Sequence, residues 1–428
     1  MKKESNRGEN TRTRGISRRN FIKLAASSGL LAGCGPANRQ GITPTPAPTR
    51  TPVPSATPSP TTAPTPTDTD TTSRSTGDFI RTQDGKLIAG GVQDQVRLRG
   101  IAVYKSNRPP STGEYEELAG LNVNTVRLAF SYRHFYDQGM PNVYKQSAWN
   151  WIDAHVALAR KHEMWLILQN CGVEGAQFVP VKGVPFDYSI WNDTDLQSRF
   201  VNLWRAIAER YRDEPQIVGY SLFCEPVVAE SKAQWQDLAQ RTIDEIRQVD
   251  RNHVIFVDRI YGEAQVRREV SGVDFAPDDA FFSVNDDNVV YEFYYFERDE
   301  YTHQFASWRA DVQEARVYPD ENWIIHYREN SGLERDLPFT RDYLEFYLRR
   351  QLEFGETQNA PMAVWGFGAL KTCYRDDRGG LQWLNDVVDL FNETGVHWTL
   401  WGYYDKDFGI NENKGAKGAL RDALTSFD

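Results

Sequence analysis

The sequence of 428 residues is poor in cysteine and methionine, with four of each, and has no excess of positive charge. Its formal net charge of −10 argues against general affinity for nucleic acid or anionic membranes. We therefore expect neutral partners, no nucleic acid and no cofactor. No segment has the length and apolarity needed for a stable membrane-spanning helix. Aromatic residues are plentiful, at 13%, and supply both a core and flat rings for stacking.

The first 34 residues have the order of a targeting segment. The run Ser17–Lys23 carries paired arginines and resembles a twin-arginine export signal, and a short apolar run, Leu24–Leu31, follows it. Leu31–Cys34 resembles the lipobox of bacterial lipoproteins, in which the cysteine is acylated after cleavage. We expect export by the twin-arginine route and a lipid anchor at Cys34 that holds the protein on the cell surface. The alternative is an ordinary cleavage site with an incidental cysteine.

Residues 35–77 form a linker dominated by threonine, proline and serine between about Gly41 and Gly77. This composition has almost nothing apolar to bury and favours extended polyproline II geometry. A stalk and a plain disordered linker predict the same shape.

Residues 78–428 alternate short β-rich runs with amphipathic helices, which is typical of an α/β protein with a parallel sheet covered by helices. About 350 residues and eight repeats favour a (β/α)₈ TIM barrel. The predicted strands are 96–104, 123–129, 164–169, 217–223, 254–258, 289–295, 362–367 and 398–401, after a hairpin at Asp84-Gly85. The predicted helices are 149–162, 195–212, 232–249, 341–354 and 381–392. In such a barrel the active site lies at the carboxyl ends of the strands.

Several strand ends are similar to those of glycoside hydrolase family 5, the cellulase-like family of clan A. The similarity is carried by Asn124–Leu128, Gly219–Pro226, Val290–Phe296, Pro361–Ala369 and Trp398–Trp401. These stretches resemble the family's Asn-x-Val-Arg, Asn-Glu-Pro, Tyr-x-Phe-His-x-Tyr, Val-Gly-Glu-Phe-Gly-Ala and tryptophan motifs, in order. The resemblance implies O-glycosyl hydrolysis of a β-glucan or β-mannan, an oligo- or polysaccharide ligand, and a monomer.

The resemblance assigns Glu225 as the general acid/base and Arg127 as the residue that braces the nucleophile. The nucleophile position is occupied by Gly366, and residues 361–370 contain no Asp or Glu. Retaining hydrolysis needs two carboxyl groups about 5–5.5 Å apart. The resemblance therefore indicates a family member that lacks one of its two catalytic groups.

Other family positions at the same face carry smaller or less polar residues. Cys224 replaces the asparagine that binds the sugar 2-hydroxyl, Cys171 replaces a histidine, and Tyr294 and Phe296 replace a histidine and a tyrosine. The residues expected to line the sugar site are Arg127, Cys171, Cys224, Tyr261, Tyr294, Phe296 and Trp401.

Three functions remain open from the sequence. The first is a carbohydrate-binding pseudoenzyme, because binding needs stacking and hydrogen bonds but no nucleophile. The second is an active hydrolase in which Glu225 acts with a water or with a loop acid such as Glu329, Asp376 or Asp377. The third is a structural or interaction protein whose cleft is filled.

Two further expectations concern charged and sulfur-bearing groups. Without a nucleophile to brace, Arg127 can pair with Glu225 and favour its ionised form. Cys171 and Cys224 end neighbouring strands and lie within disulfide reach, although two small buried thiols are an equally good interpretation. A thiolate metal site at Cys373 has little support, because no Cys-x-x-Cys spacing accompanies it.

Overall fold

The computed structural model describes residues 79–90, 94–104, 109–177, 185–263, 275–309, 311–375 and 377–409. The predictions for the export signal at 1–34, for Cys34 and for the linker at 35–77 therefore lie outside the described residues. None of the helices in the described part is long and apolar enough to cross a membrane.

Eight parallel strands close into a barrel, which confirms the predicted fold class. In chain order they are β1 (Arg99–Tyr104), β2 (Thr125–Ser131), β3 (Trp165–Gly172), β4 (Ile217–Ser221), β5 (Val254–Asp258), β6 (Val289–Tyr295), β7 (Met362–Phe367) and β8 (His397–Leu400). Each strand pairs with the next, and β8 pairs with β1 to close the ring. Barrel strands are buried on both faces, which explains why these segments are almost continuously apolar.

Helices cover the outside of the barrel. The main ones are α1 (Thr112–Ala119), α2 (Gln146–Lys161), α3 (Thr194–Tyr211), α4 (Ala233–Arg247), α5 (Arg341–Gln358) and α6 (Gly380–Thr394). The five helices predicted from periodicity correspond to α2 through α6, with ends that differ by at most four residues.

Helix α3 shows how sequence sets these boundaries. Asp193 caps its first turn by accepting hydrogen bonds from the backbone N–H groups of Asp195 and Leu196. Its predicted apolar face is buried, and Trp204 donates its indole N–H to the backbone carbonyl of Leu222 just beyond β4, at 3.0 Å. The helix thereby supports the loop that carries the residues after β4.

A β-hairpin closes the base of the barrel, the end opposite the carboxyl ends of the strands. Strands Ile80–Gln83 and Lys86–Ala89 pair around Asp84 and Gly85, which both have positive φ (50° and 70°), as a tight Asp-Gly turn requires. Ile80 and Leu87 pack onto interior residues of the barrel strands. Access to the barrel interior is therefore from the carboxyl-terminal end, called the mouth below.

Helix α1 was not predicted, and neither was a second hairpin. Strands Asp320–Arg328 and Glu334–Phe339 form an antiparallel hairpin between β6 and β7. It packs on α5, where the rings of Tyr327 and Phe346 meet at 5.1 Å. This hairpin widens the outer wall beside β6 and leaves the order of the barrel strands unchanged.

Candidate active site

Glu225 lies just after β4 at the mouth, and 8% of its surface is exposed. Its backbone adopts φ = 54°, a left-handed conformation that non-glycine residues rarely take. The backbone N–H of Glu225 donates a hydrogen bond to Oδ2 of Asp258 at 2.9 Å. Such strain persists where the surrounding structure holds it, and functional sites are where it concentrates.

Asp258 ends β5 beneath Glu225 and is fully buried. Its second oxygen, Oδ1, accepts a hydrogen bond from the hydroxyl of Tyr261 at 2.8 Å. Burial raises the pKa of Asp258 well above its usual range, and the nearby carboxylates of Glu292 and Glu225 add to the rise. An aspartic acid held in this way favours its neutral form and fixes the turn that presents Glu225.

Tyr261 was expected to line a sugar site, and the structure corrects that prediction. Only 4% of its surface is exposed, its ring stacks on Tyr294 at 4.3 Å, and the guanidinium of Arg259 lies 4.9 Å from its centre. Its hydroxyl also accepts hydrogen bonds from the backbone N–H of Tyr294 at 2.7 Å and from the indole of Trp365 at 3.3 Å. Tyr261 therefore positions Asp258 and Tyr294 rather than offering a face to a ligand.

The expected pair between Arg127 and Glu225 is not formed, because Arg127 points into the barrel and pairs with Glu292 of β6. The ion pair joins Nη2 of Arg127 and Oε2 of Glu292 at 2.9 Å, and both side chains are buried. Ser221 donates to the other oxygen of Glu292, and Nε of Arg127 donates to Thr399 at 3.3 Å. This arrangement stabilises a charge pair in the middle of the barrel, below the mouth.

Gly366 lies near the end of β7, where it pairs in register with Tyr294 of β6. A Cβ atom added there would find no atom closer than 3.9 Å, and its nearest neighbours would be the ring of Phe296 and Cβ of Trp401. Burial raises the pKa of Tyr294, and the charge of Glu225 is the next contribution. Glu225, which follows β4, and Gly366, near the end of β7, therefore both lie at the mouth, and Tyr294 is the β6 neighbour of Gly366.

The space beside Gly366 is bounded by aromatic side chains. The ring centre of Phe296 lies 5.5 Å from that of Phe408 and 5.4 Å from that of His303. The rings of Trp401 and Trp365 meet edge to face, with their centres 6.1 Å apart. Phe296 and Trp401 are only 4% and 3% exposed, and Tyr294 is half-buried. The mouth thus has an acid side, formed by Glu225, Asp258 and Tyr261, and an aromatic side, formed by Phe296, Gly366, Trp401 and Phe408.

Cys171 and Cys224 meet next to Glu225, as their places at the ends of β3 and β4 predicted. Both are free thiols, and Cys171 is close enough to influence the thiol of Cys224. The backbone N–H of Cys224 also donates to the carbonyl of Asn170 at 3.0 Å. Burial raises the pKa of Cys224 well above its usual range, and Cys171, Glu225 and Asp258 add to this effect.

Of the loop acids considered from the sequence, Glu329 does not supply a second carboxylate at the mouth. Glu329 lies on the outer wall, where it pairs with Arg350 of α5 at 2.9 Å and accepts hydrogen bonds from Tyr327 and Ser331. Asp377 is exposed, and Asp376 lies outside the described residues. The expectation that Glu329 faces Glu225 is therefore wrong, because its hairpin folds back onto a helix.

Cys373 is buried and donates to the carbonyl of Tyr301 at 3.1 Å. Within the described ranges, no group of three His, Cys, Asp or Glu side chains is arranged to hold a metal ion.

Two acids of the site, Asp258 and Glu292, were not predicted. The signal was present in the sequence: each is a lone carboxylate in an otherwise apolar barrel strand. A charged residue is almost never fully buried unless it is paired, so such positions indicate an internal network.

Comparisons with known proteins agree with this architecture. Residues 92–407 match the family described as cellulase (glycosyl hydrolase family 5). Endoglucanase C of Acetivibrio thermocellus is 24% identical over 313 residues, which cover 70% of this chain and 86% of that protein. Cellodextrinase A of Ruminococcus flavefaciens is 23% identical over 285 residues, covering 66% of this chain and 75% of that protein.

Solved structures show the same fold. Endoglucanase Cel5A from Thermotoga maritima superposes with a TM-score of 0.57 at 18% identity, covering 76% of this chain and 96% of that one. A structure of Thermotoga maritima Cel5A in complex with mannotriose gives 0.58 at 17% identity, with 77% and 97% covered. Because the family match spans most of the chain and both barrels agree, the protein belongs to glycosyl hydrolase family 5.

Proposed function

We propose that this protein is a carbohydrate-binding member of its family that does not carry out retaining hydrolysis. One feature supports the proposal: the β7 position that the family resemblance gives to the nucleophile is occupied by Gly366, which has no side chain. The covalent mechanism requires a carboxylate at that point to attack the anomeric carbon. A ligand can still be held by hydrogen bonds and ring contacts without it.

The buried acids of the barrel are poor substitutes for the missing carboxylate. In the β6–β7 register Glu292 lies opposite Ala363, which is two residues below Gly366 when counted along β6 and three when counted along β7, or roughly 7–10 Å deeper at 3.3 Å per residue. Its Oε2 lies 2.9 Å from Nη2 of Arg127 in an ion pair, and its Oε1 accepts a hydrogen bond from Ser221. Asp258 lies level with Glu292 and has both oxygens hydrogen-bonded. An acid with a raised pKa, such as Asp258, is also a weak nucleophile near neutral pH.

The proposed ligand is a β-linked oligosaccharide of the glucan or mannan type, and the half-buried ring of Tyr294 is its main contact beside Glu225. The relatives support this class, because they are named as an endoglucanase and a cellodextrinase and one solved relative holds mannotriose. We further propose that the mature protein is monomeric, exported by the twin-arginine route and anchored through Cys34, on the strength of the Ser17–Lys23 and Leu31–Cys34 motifs.

Titration of the full chain with cello- and manno-oligosaccharides, followed by intrinsic tryptophan fluorescence, tests binding. We expect a saturable change with one glycan class and its loss in Tyr294→Ala, while the exposed variant Asp377→Asn binds normally. In parallel, an aryl β-glycoside should show no turnover above the buffer rate. Turnover that Glu225→Gln abolishes would refute the absence of catalysis.

A second function is favoured by a different observation. Phe296 and Trp401 are 4% and 3% exposed, which is the burial expected of a filled mouth in a structural or interaction protein. The same titration separates the two functions, because a filled mouth gives no fluorescence change with any glycan.

A further inference from the structure

The thiols of Cys171 and Cys224 form the only contact between two cysteines in the described part of the chain, and it lies directly before Glu225. Cys373, the third described cysteine, is instead bonded to the backbone around Tyr301 and Thr302. Cys171 and Cys224 therefore form a pair beside Glu225, and Cys373 is not part of it.

The backbone geometry suits a disulfide. Neighbouring barrel strands run ~4.8 Å apart, and disulfide-bonded Cα atoms are usually ~4.4–6.8 Å apart. The hydrogen bond from Cys224 N–H to the carbonyl of Asn170, at 3.0 Å, fixes the ends of β3 and β4 in this relation. Because this bond holds Cys224 beside the strand that carries Cys171, we expect closure to need no rearrangement of the strands.

The two thiols also differ in access. Cys171 is half-buried, whereas Cys224 is 8% exposed. An oxidant from solvent therefore reaches Cys171 first, and Cys224 is placed to resolve the product. This order is the one that thiol–disulfide exchange follows when one thiol is accessible and its partner lies behind it.

We propose that Cys171 and Cys224 are a reversible dithiol–disulfide pair that fixes the backbone carrying Glu225. With a small disulfide as oxidant, the Cys171 thiolate attacks one sulfur and releases one thiolate, leaving a mixed disulfide. Cys224 then loses its proton, attacks Sγ of Cys171 and releases the second thiolate. Two protein S–H bonds are replaced by one S–S bond, and the oxidant leaves as two thiols that carry the two protons.

Glu225 is tied to this step through the chain. It follows Cys224 directly, holds φ = 54° and donates its N–H to Asp258. A bond of ~2.05 Å between the sulfurs restrains the residue before that turn. The acids in turn act on the thiol, since burial, then Cys171, Glu225 and Asp258, raise the pKa of Cys224. Closure is therefore slow at neutral pH and accelerates as pH rises, because the thiolate is the reactive form.

The first experiment incubates the full chain with excess oxidised glutathione or with dithiothreitol, alkylates free thiols under denaturing conditions and maps the peptides by mass spectrometry. We expect a cross-linked Cys171–Cys224 peptide after oxidation and none after reduction. Cys171→Ser removes the cross-link, and the matched control Cys373→Ser retains it. Recovery of both cysteines in alkylated form after oxidation overturns the proposal, as does a stable glutathione adduct on Cys171 without closure.

The rate of disulfide closure distinguishes a pair that is coupled to Glu225 from two cysteines that are neighbours by chance. We expect the closure rate to rise about tenfold per pH unit below the pKa of Cys224. Glu225→Gln should speed closure several-fold at neutral pH, because it removes one charge that raises this pKa. Oxidation should also raise Tm by several degrees, since the bond closes a loop of about 50 residues. A rate unchanged by Glu225→Gln argues against the coupling. None of these measurements depends on glycan binding, so the proposed function can fail independently.

Discussion

The two sides of the mouth are held together by different kinds of interaction. On the acid side, the oxygens of Asp258 are hydrogen-bonded, and Glu225 is held in a strained backbone conformation by its neighbour. On the aromatic side, Gly366 has no side chain, and Phe296, Trp401 and Phe408 pack around it. A polar network is costly to dismantle piecemeal, because each removed partner leaves a buried group unsatisfied. Apolar packing carries no such requirement, so the aromatic side should accept substitutions more readily than the acid side.

The largest expected effect comes from restoring a carboxylate on the aromatic side. Gly366→Glu should raise kcat/KM for an activated aryl β-glycoside by at least ~1,000-fold, since losing a nucleophile typically costs several orders of magnitude. The site has room for the first side-chain atom, whose nearest neighbours lie at 3.9 Å. Steady-state kinetics with a chromogenic substrate measures the change.

Two controls accompany that variant. Gly366→Gln has nearly the same volume without the nucleophilic oxygen and should stay inactive, and Glu225→Gln should abolish the gained activity. If Gly366→Glu folds and remains as inactive as Gly366→Gln, the acid side has lost its catalytic geometry as well, and the contrast between the two sides disappears.

The next largest effect concerns the ion pair between Arg127 and Glu292, which lies below both sides of the mouth. Arg127→Met should lower the free energy of unfolding by about 3–5 kcal/mol, because it leaves Glu292 buried without its cation. The double variant Arg127→Met with Glu292→Met should recover much of that loss. Urea denaturation provides the measurement. A single variant within about 1 kcal/mol of the parent would contradict a stabilising role for the ion pair.

The pH dependence of stability tests the acid side. The folded pKa of Asp258 is raised, so between its unfolded and folded pKa values the folded state binds more protons than the unfolded chain. Its contribution to stability is present below the unfolded pKa and is lost as pH rises through the folded pKa, at up to about 1.4 kcal/mol per pH unit. In Asp258→Asn the free energy of unfolding, measured by urea denaturation at a series of pH values above 4, should fall less steeply as pH rises. The exposed Asp377→Asn should keep it, and equal slopes in all three proteins would contradict the assignment.

The smallest effect comes from a single oxygen on the aromatic side. Phe296→Tyr adds a hydroxyl to the ring edge that faces Gly366 and should change the free energy of unfolding by less than about 1 kcal/mol. In the Gly366→Glu background the same hydroxyl should raise activity a few-fold by hydrogen bonding to the new carboxylate. Phe408→Tyr serves as the matched control, and an equal gain from it would mean that the position of the oxygen does not matter.

The sequence predicted the barrel well because its strands are buried on both faces and its helices on one, so each element carries its own periodicity. It also placed Glu225, Cys224, Gly366 and Phe296 at the mouth, since short motifs at strand ends fix them. Tyr261 was assigned to the ligand because an aromatic residue after a strand looks the same whether its ring is open or covered. Only the neighbouring Tyr294 and Arg259 decide between these possibilities.

What the sequence could not reveal depends on contacts between distant segments. Arg127 and Glu292 are 165 positions apart, and only the closed ring brings them to 2.9 Å. The hairpin at Asp320–Phe339 was missed because it is largely solvent-facing and charged, so its alternation carries little apolar signal. Because this hairpin folds back onto α5, Glu329 pairs with Arg350 and does not reach the mouth.

The β-hairpin that closes the base of the barrel, called the plug here, also distinguishes the two ends of the molecule. Phe79 begins the described chain at that plug, beside Ile80, whereas Glu225 lies beyond the opposite ends of the strands. Everything N-terminal to the barrel therefore joins it at the pole farthest from the site. A fusion partner or label attached ahead of Phe79 would therefore be joined at the end opposite Glu225.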